Sequence, residues 1–145
     1  MRIKSGIIGV AAVLMMLTAS SAWAQCKSFS KKKCLPTLSP YIYNGQLNSA
    51  ILFQGENAEL LMTFYSGQDY RLIVCNHDVL EGTYFEVKDT DGNLIYSSME
   101  HETNIWDFNV RSTQQFKINV IIPKPDALSD LLASGCISVM VGFKD

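Results

Sequence analysis

From residue 47 onward, apolar and polar residues alternate with a period of two, the spacing of strands that bury one face. Residues 47–54 read as the first clear strand. In 58–65, Leu60, Met62 and Phe64 share a face. In 70–75, Tyr70, Leu72 and Val74 share one face and Ile73 stands on the other beside Arg71. Such a near-continuous apolar run fits a strand covered on both sides. Later runs repeat the pattern with Phe85 and Val87, Leu94 and Tyr96, then Trp106, Phe108 and Val110. Phe116, Ile118 and Val120 follow, and finally Ile137, Val139, Val141 and Phe143. The clearest signal is 82–98, two arms joined by Asp89-Thr90-Asp91-Gly92-Asn93. Asp91-Gly92 offers the positive backbone angles of a tight hairpin, and the rest of the chain reads as strands stacked around it.

Eight strands at roughly ten-residue spacing predict an all-β fold. The expected architecture is an antiparallel two-layer β-sandwich or jelly roll, with an up-and-down barrel as the second choice. Its core is expected from Phe64, Leu72, Val74, Phe85, Val87, Trp106, Phe108, Phe116, Ile118, Val139 and Val141. One segment breaks the period. Leu128, Leu131 and Leu132 fall at helical spacing between Pro125 and Gly135, which predicts a short helix over 126–133. Residues 25–40, interrupted by Pro36 and Pro40, read as an irregular arm before a sandwich domain over 41–145.

The first 24 residues read as a secretory signal peptide. Arg2 and Lys4 precede an apolar run, and Ala22-Trp23-Ala24 is an A-x-A cleavage signal. The run is about a dozen residues, short of the roughly 20 that a membrane span needs. Cleavage near Ala24 would leave 121 of the 145 residues, enough for one core without metals. It would also leave 10 basic residues against 14 acidic, a net charge of −4. Lys27, Lys31, Lys32 and Lys33 crowd the new N-terminus, either as a solvated arm or as a contact for acidic lipid headgroups or a partner. The acidic remainder speaks against nucleic acid. Periplasmic or secreted localisation is expected.

Cys26, Cys34, Cys75 and Cys136 all lie beyond the cleavage signal. An even number in an exported chain predicts two disulfides. Of the three connectivities, Cys26–Cys34 with Cys75–Cys136 is preferred here, closing a short loop around the lysines. Zinc is a poor alternative because the sequence has no C-x-x-C pair.

Three stretches carry a family likeness. They are Phe64-Tyr65-Ser66-Gly67-Gln68-Asp69-Tyr70, the hairpin from Phe85 through Asp91-Gly92 to Leu94, and Phe116-Lys117-Ile118-Asn119-Val120. In order and turn chemistry this resembles a bacterial pre-peptidase C-terminal domain, a small sandwich appended to secreted enzymes. The resemblance implies a sandwich fold and a non-catalytic accessory role.

Candidate chemistry is sparse. Asp89, Asp91, Asn93 and Glu100 fit the first, third, fifth and twelfth positions of a calcium loop. The sixth position is Leu94 rather than glycine and the flanks read as strands, so a plain hairpin turn is expected and no metal. His77 and His101 stand beside acids in loops and are read as solvated. There is no G-x-S-x-G, no H-E-x-x-H and no phosphate-cradling glycine loop. The expectation is a non-enzyme without cofactors, acting as a structural or protein-interaction module in a bacterial cell-envelope assembly. Its partner would be another envelope or exported protein, met through Lys31, Lys32, Lys33, Leu128, Leu131 and Leu132. The alternative is a carbohydrate- or small-ligand-binding module using tyrosines such as Tyr41, Tyr43, Tyr65, Tyr84 and Tyr96, with Trp106.

Overall fold

A computed structural model describes residues 21–126 and 131–144. The strands are β1 (Ile42–Tyr43), β2 (Asn48–Phe53), β3 (Asn57–Phe64), β4 (Asp69–Asn76) and β5 (Tyr84–Lys88). They continue with β6 (Leu94–Ser97), β7 (Ile105–Asn109), β8 (Gln114–Ile121) and β9 (Ser134–Lys144). All pairings are antiparallel. One sheet runs β2-β9-β4-β7, with the short β1 also on β9; the other runs β3-β8-β5-β6. This is the strand order of a jelly roll, so the predicted sandwich is the observed fold.

The β5–β6 hairpin is the axis of the topology. Outward from it, β7 pairs with β4, β8 with β3 and β9 with β2. The chain is a long antiparallel ribbon folded at residues 89–93 and rolled into two sheets. The Asp89 carboxylate makes that fold. Its Oδ1 accepts the N–H groups of Asp91 (3.0 Å) and Asn93 (2.8 Å), and its Oδ2 accepts from Asn93 Nδ2 (2.9 Å). Gly92 takes φ +88°, a left-handed angle that glycine adopts without steric cost. An acid so engaged by its own turn serves as a turn residue, in line with the hairpin reading.

Between the sheets, Phe64, Leu72, Val74, Phe85, Val87, Phe116, Ile118, Val139 and Val141 are buried. Trp106 and Phe108 pack against them from the β7 edge, partly exposed. The alternation read from sequence therefore assigns the inner faces correctly.

A second core lies outside the sandwich. Cys26, Phe29, Cys34, Leu38, Ile73, Cys136 and Met140 are buried together on the outer face of the β4–β9 sheet. Residues 25–38, expected to be irregular, are helical and supply this cover. Helix α1 (Ser21–Phe29) continues as a π-helical turn (Ser30–Cys34) and a 3-10 turn (Leu35–Leu38). Pro36 does not break the segment because it falls in the first turn of the 3-10 helix, where its missing N–H is not needed.

The helix predicted over 126–133 is absent from its described part. Residues 127–130, Leu128 among them, lie outside the described residues, while residues 126 and 131–133 are not helical. Gln54 explains the extended end. Its N–H donates to Ala133 O (3.0 Å), and its side-chain Oε1 accepts Ala133 N–H (2.9 Å). Residue 133 thereby extends the β2–β9 ladder.

The two cores predict distinct losses. Phe85→Ala in the sandwich should cost about 3–5 kcal/mol. Phe29→Ala under the helix should cost less, about 2–3 kcal/mol, because the outer core is smaller and Phe29 is less completely buried (8% exposed) than Phe85 (0%). Urea unfolding followed by near-ultraviolet circular dichroism would separate them. Equal losses would contradict the hierarchy.

Candidate functional site

The disulfide is the first anchor of the helical cover. Cys26 bonds Cys136 across 110 residues, which corrects the preferred pairing of Cys26 with Cys34 and of Cys75 with Cys136. Helical geometry is the reason. Eight residues of helix rise about 12 Å, whereas the Cα atoms of a bridge stand about 4.4–6.8 Å apart. Cys34 and Cys75 carry thiols. Between the cysteines of the helix lies Ser30. It donates to Cys26 O (2.7 Å) and meets the Ser138 hydroxyl, so these two buried polar side chains satisfy each other.

Arg71 is the second anchor. Its guanidinium holds Asp107 through Nε–Oδ1 and Nη2–Oδ2, both 2.7 Å. Nη1 donates to the carbonyls of Thr37 (3.2 Å) and Ser39 (3.1 Å), tying down the end of the helical segment. Tyr41 stacks beneath Arg71, with 4.7 Å from guanidinium to ring centre. The Arg71 bonds hold the Asp107 carboxyl below the usual aspartate range.

Neither histidine is merely solvated. His77 Nδ1 accepts Cys136 N–H (2.9 Å), which puts the proton of the neutral ring on Nε2, and the ring meets Phe29 edge-on at 4.2 Å. His101 stacks on Tyr96 at 4.8 Å, and its Nδ1 bonds Ser97 O (3.0 Å). Both are packing residues on different elements. Among the described residues there is no group of three or more His, Cys, Asp or Glu placed to hold a metal.

At one end of the sandwich, segments remote in sequence meet. Lys33 Nζ lies 3.4 Å from Asp78 Oδ1. The next residue, Val79, accepts at its carbonyl from Gln54 Nε2 (3.4 Å), and Gln54 holds Ala133. The lysine-rich turn, the 78–80 turn, the end of β2 and the 131–133 segment therefore form one surface. Phe53 (47% exposed), Val79 (52%), Leu131 (85%) and Leu132 (46%) are its apolar part. Lys31, Lys32 and Lys33 are exposed at its margin. The sequence named the lysines and leucines separately. Phe53 and Val79 were missed, because nothing local in their strand and turn marks them as neighbours of residue 132.

The two long sides of the sandwich also differ. The β6–β7 side is closed by aromatic rings. Tyr96 stacks on Trp106 at 4.8 Å, and Trp106 on Phe108 at 3.9 Å. The β2–β3 side is open. A cleft of about 510 Å³ lies there, lined by Asn44, Gln46, Asn48, Gln68, Tyr65 and Leu60 among others. The structure separates the other tyrosines considered as a sugar platform. Tyr41 lies on Arg71, Tyr43 packs against the helical cover and Tyr96 belongs to the aromatic stack. Tyr65, 61% exposed, alone among those six aromatics lines the cleft.

No protein-family model matches the chain, so the likeness to pre-peptidase C-terminal domains rests on the quoted strands and turns. No curated protein matches it either. Among solved structures, the chain is similar to PliG of Aeromonas hydrophila, a periplasmic lysozyme inhibitor of g-type lysozyme. The identity is 10%, the TM-score 0.49, and the match covers 72% of this chain and 89% of that one. PliG of Salmonella Typhimurium, also a periplasmic inhibitor of g-type lysozyme, gives 14% identity and a TM-score of 0.43, covering 68% and 86%. Matches at this level carry nothing about activity, and the functional reading rests on the chain's own surface.

The Arg71 anchor has a pH signature. Asp107 is depressed when folded, so its contribution is complete above the ordinary aspartate value of about 4 and is lost as pH falls through its native value. Arg71→Ala should cost about 1 kcal/mol at neutral pH, a modest figure because the pair is partly solvated. The gap between wild type and variant, measured by urea unfolding, should shrink as the medium becomes acidic. A gap that does not change with pH would contradict the assignment.

Proposed function

We propose that this is an exported, non-catalytic β-sandwich that acts as a structural or protein-interaction module in a bacterial cell-envelope assembly. The observation that carries the reading is the composite surface at one end, where Phe53, Val79, Leu131 and Leu132 are exposed beside Lys31, Lys32 and Lys33. Exposed apolar side chains grouped within a charged margin are the anatomy of a contact patch. The partner that fits is an exported protein presenting apolar side chains bordered by carboxylates. The Cys26–Cys136 disulfide supports an oxidising compartment, and the sequence before residue 25 supports export to the periplasm or beyond.

The test uses the purified protein with its disulfide intact as bait in envelope extracts, beside Leu132→Asp and Lys31→Glu/Lys32→Glu variants. The captured protein is then purified and rebound. Each variant should weaken that binding about tenfold or more, and added salt should weaken it further. Failure to capture a partner, or capture indifferent to both variants, would overturn the proposal.

The open cleft favours one second reading, a carbohydrate- or small-ligand-binding module. Asn44, Gln46, Asn48 and Gln68 present amides, and Tyr65 an exposed ring, the groups that hydrogen-bond hydroxyls and stack on sugar faces. On a glycan array under non-reducing conditions, binding should appear and be lost with Tyr65→Ala. An array at background would end this reading.

A further inference from the structure

The two remaining thiols lie where the geometry of the first disulfide leads. The helical segment carries Cys26, Ser30 and Cys34 at four-residue intervals, and Ser30 and Cys34 are fully buried. Strand β9 turns Cys136, Ser138 and Met140 toward the same layer, and the register puts Cys75 of β4 beside Ser138. The first rung between helix and sheet is the Cys26–Cys136 bridge, and the second is the Ser30–Ser138 hydroxyl contact. The next helical position is Cys34, and Cys75 packs against the cluster that encloses it.

The electrostatics agree with direct contact. A hydrogen bond from the Cys34 thiol to the Cys75 sulfur pushes Cys34 far up, with burial adding to the effect. The same bond pulls Cys75 down, and the charge of Lys33 lowers it further. Cys75 is thus the more acidic thiol, and it is only partly buried.

We propose that Cys34 and Cys75 form a second disulfide, fastening the end of the helical segment to β4. This is the one remaining pair once Cys26 is joined to Cys136. The oxidant is a donor disulfide, such as that of a thiol oxidoreductase. Cys75 loses its proton and attacks one donor sulfur. The donor S–S bond breaks, its second sulfur leaves as a thiolate, and a mixed disulfide remains on Cys75. Cys34 then loses its proton and attacks the Cys75 sulfur, releasing the first donor sulfur. Two protons and two electrons leave the cysteine pair, and the donor ends as a dithiol.

The test takes the full chain, exported by its host and purified without reductant. It is denatured in an alkylating reagent, digested and mapped by mass spectrometry without reduction. The expected map joins the Cys34 and Cys75 peptides, joins the Cys26 and Cys136 peptides, and shows no alkylated cysteine. Alkylation of Cys34 or Cys75, or linkage of either to Cys26 or Cys136, would overturn the assignment. The Cys34→Ser/Cys75→Ser variant should fold with Cys26–Cys136 intact and melt several degrees below the native chain under non-reducing conditions. An unchanged melting temperature would contradict a bridge that fastens the segment.

Discussion

Strand β9 must be kept dry on both faces, and most of the structure follows from that constraint. Ile137, Val139 and Val141 point into the sandwich, while Cys136 and Met140 point out of it, and all five are buried. A sandwich alone would leave the second set against water. The helical segment removes that exposure, and it is held at several points along its length. The disulfide fixes one end, the Ser30–Ser138 contact sits in the middle, and Arg71 grips the carbonyls of Thr37 and Ser39 at the far end. The fold is therefore a jelly roll with a third, partial layer.

The third layer also shapes the candidate contact surface. Lys31, Lys32 and Lys33 reach the end of the sandwich because Cys34, one residue further on, is anchored in the outer core. Lys33 then meets Asp78, and the 78–80 turn meets Gln54 and, through it, residue 133. Basic and apolar groups separated by about a hundred residues become neighbours by this route. The asymmetry of the two long sides has a similar origin. Tyr96, Trp106 and Phe108 are large enough to seal the β6–β7 side. Leu60 and the amides of 44–48 leave the β2–β3 side open.

The strands were legible in the sequence because each buries one face, and period-two alternation records that directly. Tyr70 to Cys75 even showed, through Ile73 opposite Leu72, that this strand has cover on both sides. What the pattern could not show was the identity of the cover. Residues 25–38 contain a helix-breaking signal, Pro36, and their apolar positions are few: Cys26, Phe29, Cys34, Leu35 and Leu38. The spacing of Cys26, Ser30 and Cys34 was the available clue, and it is visible only if the segment is assumed helical. Leucines at helical spacing misled in the other direction. Gln54 draws residue 133 into a ladder whose partner strand lies some eighty residues earlier.

By itself the sequence determined the faces of the main strands, the hairpin at Asp89 to Asn93 and most of the inner core. Those depend on near neighbours and on the two-residue period of the backbone. Only the tertiary structure decided that Cys26 joins Cys136, that His77 and Arg71 are anchors, and that Lys33 shares a surface with Leu132. Each of these is a contact between segments that meet only after the ribbon has rolled. Their partners are chosen by register and burial rather than by anything local to the residues themselves.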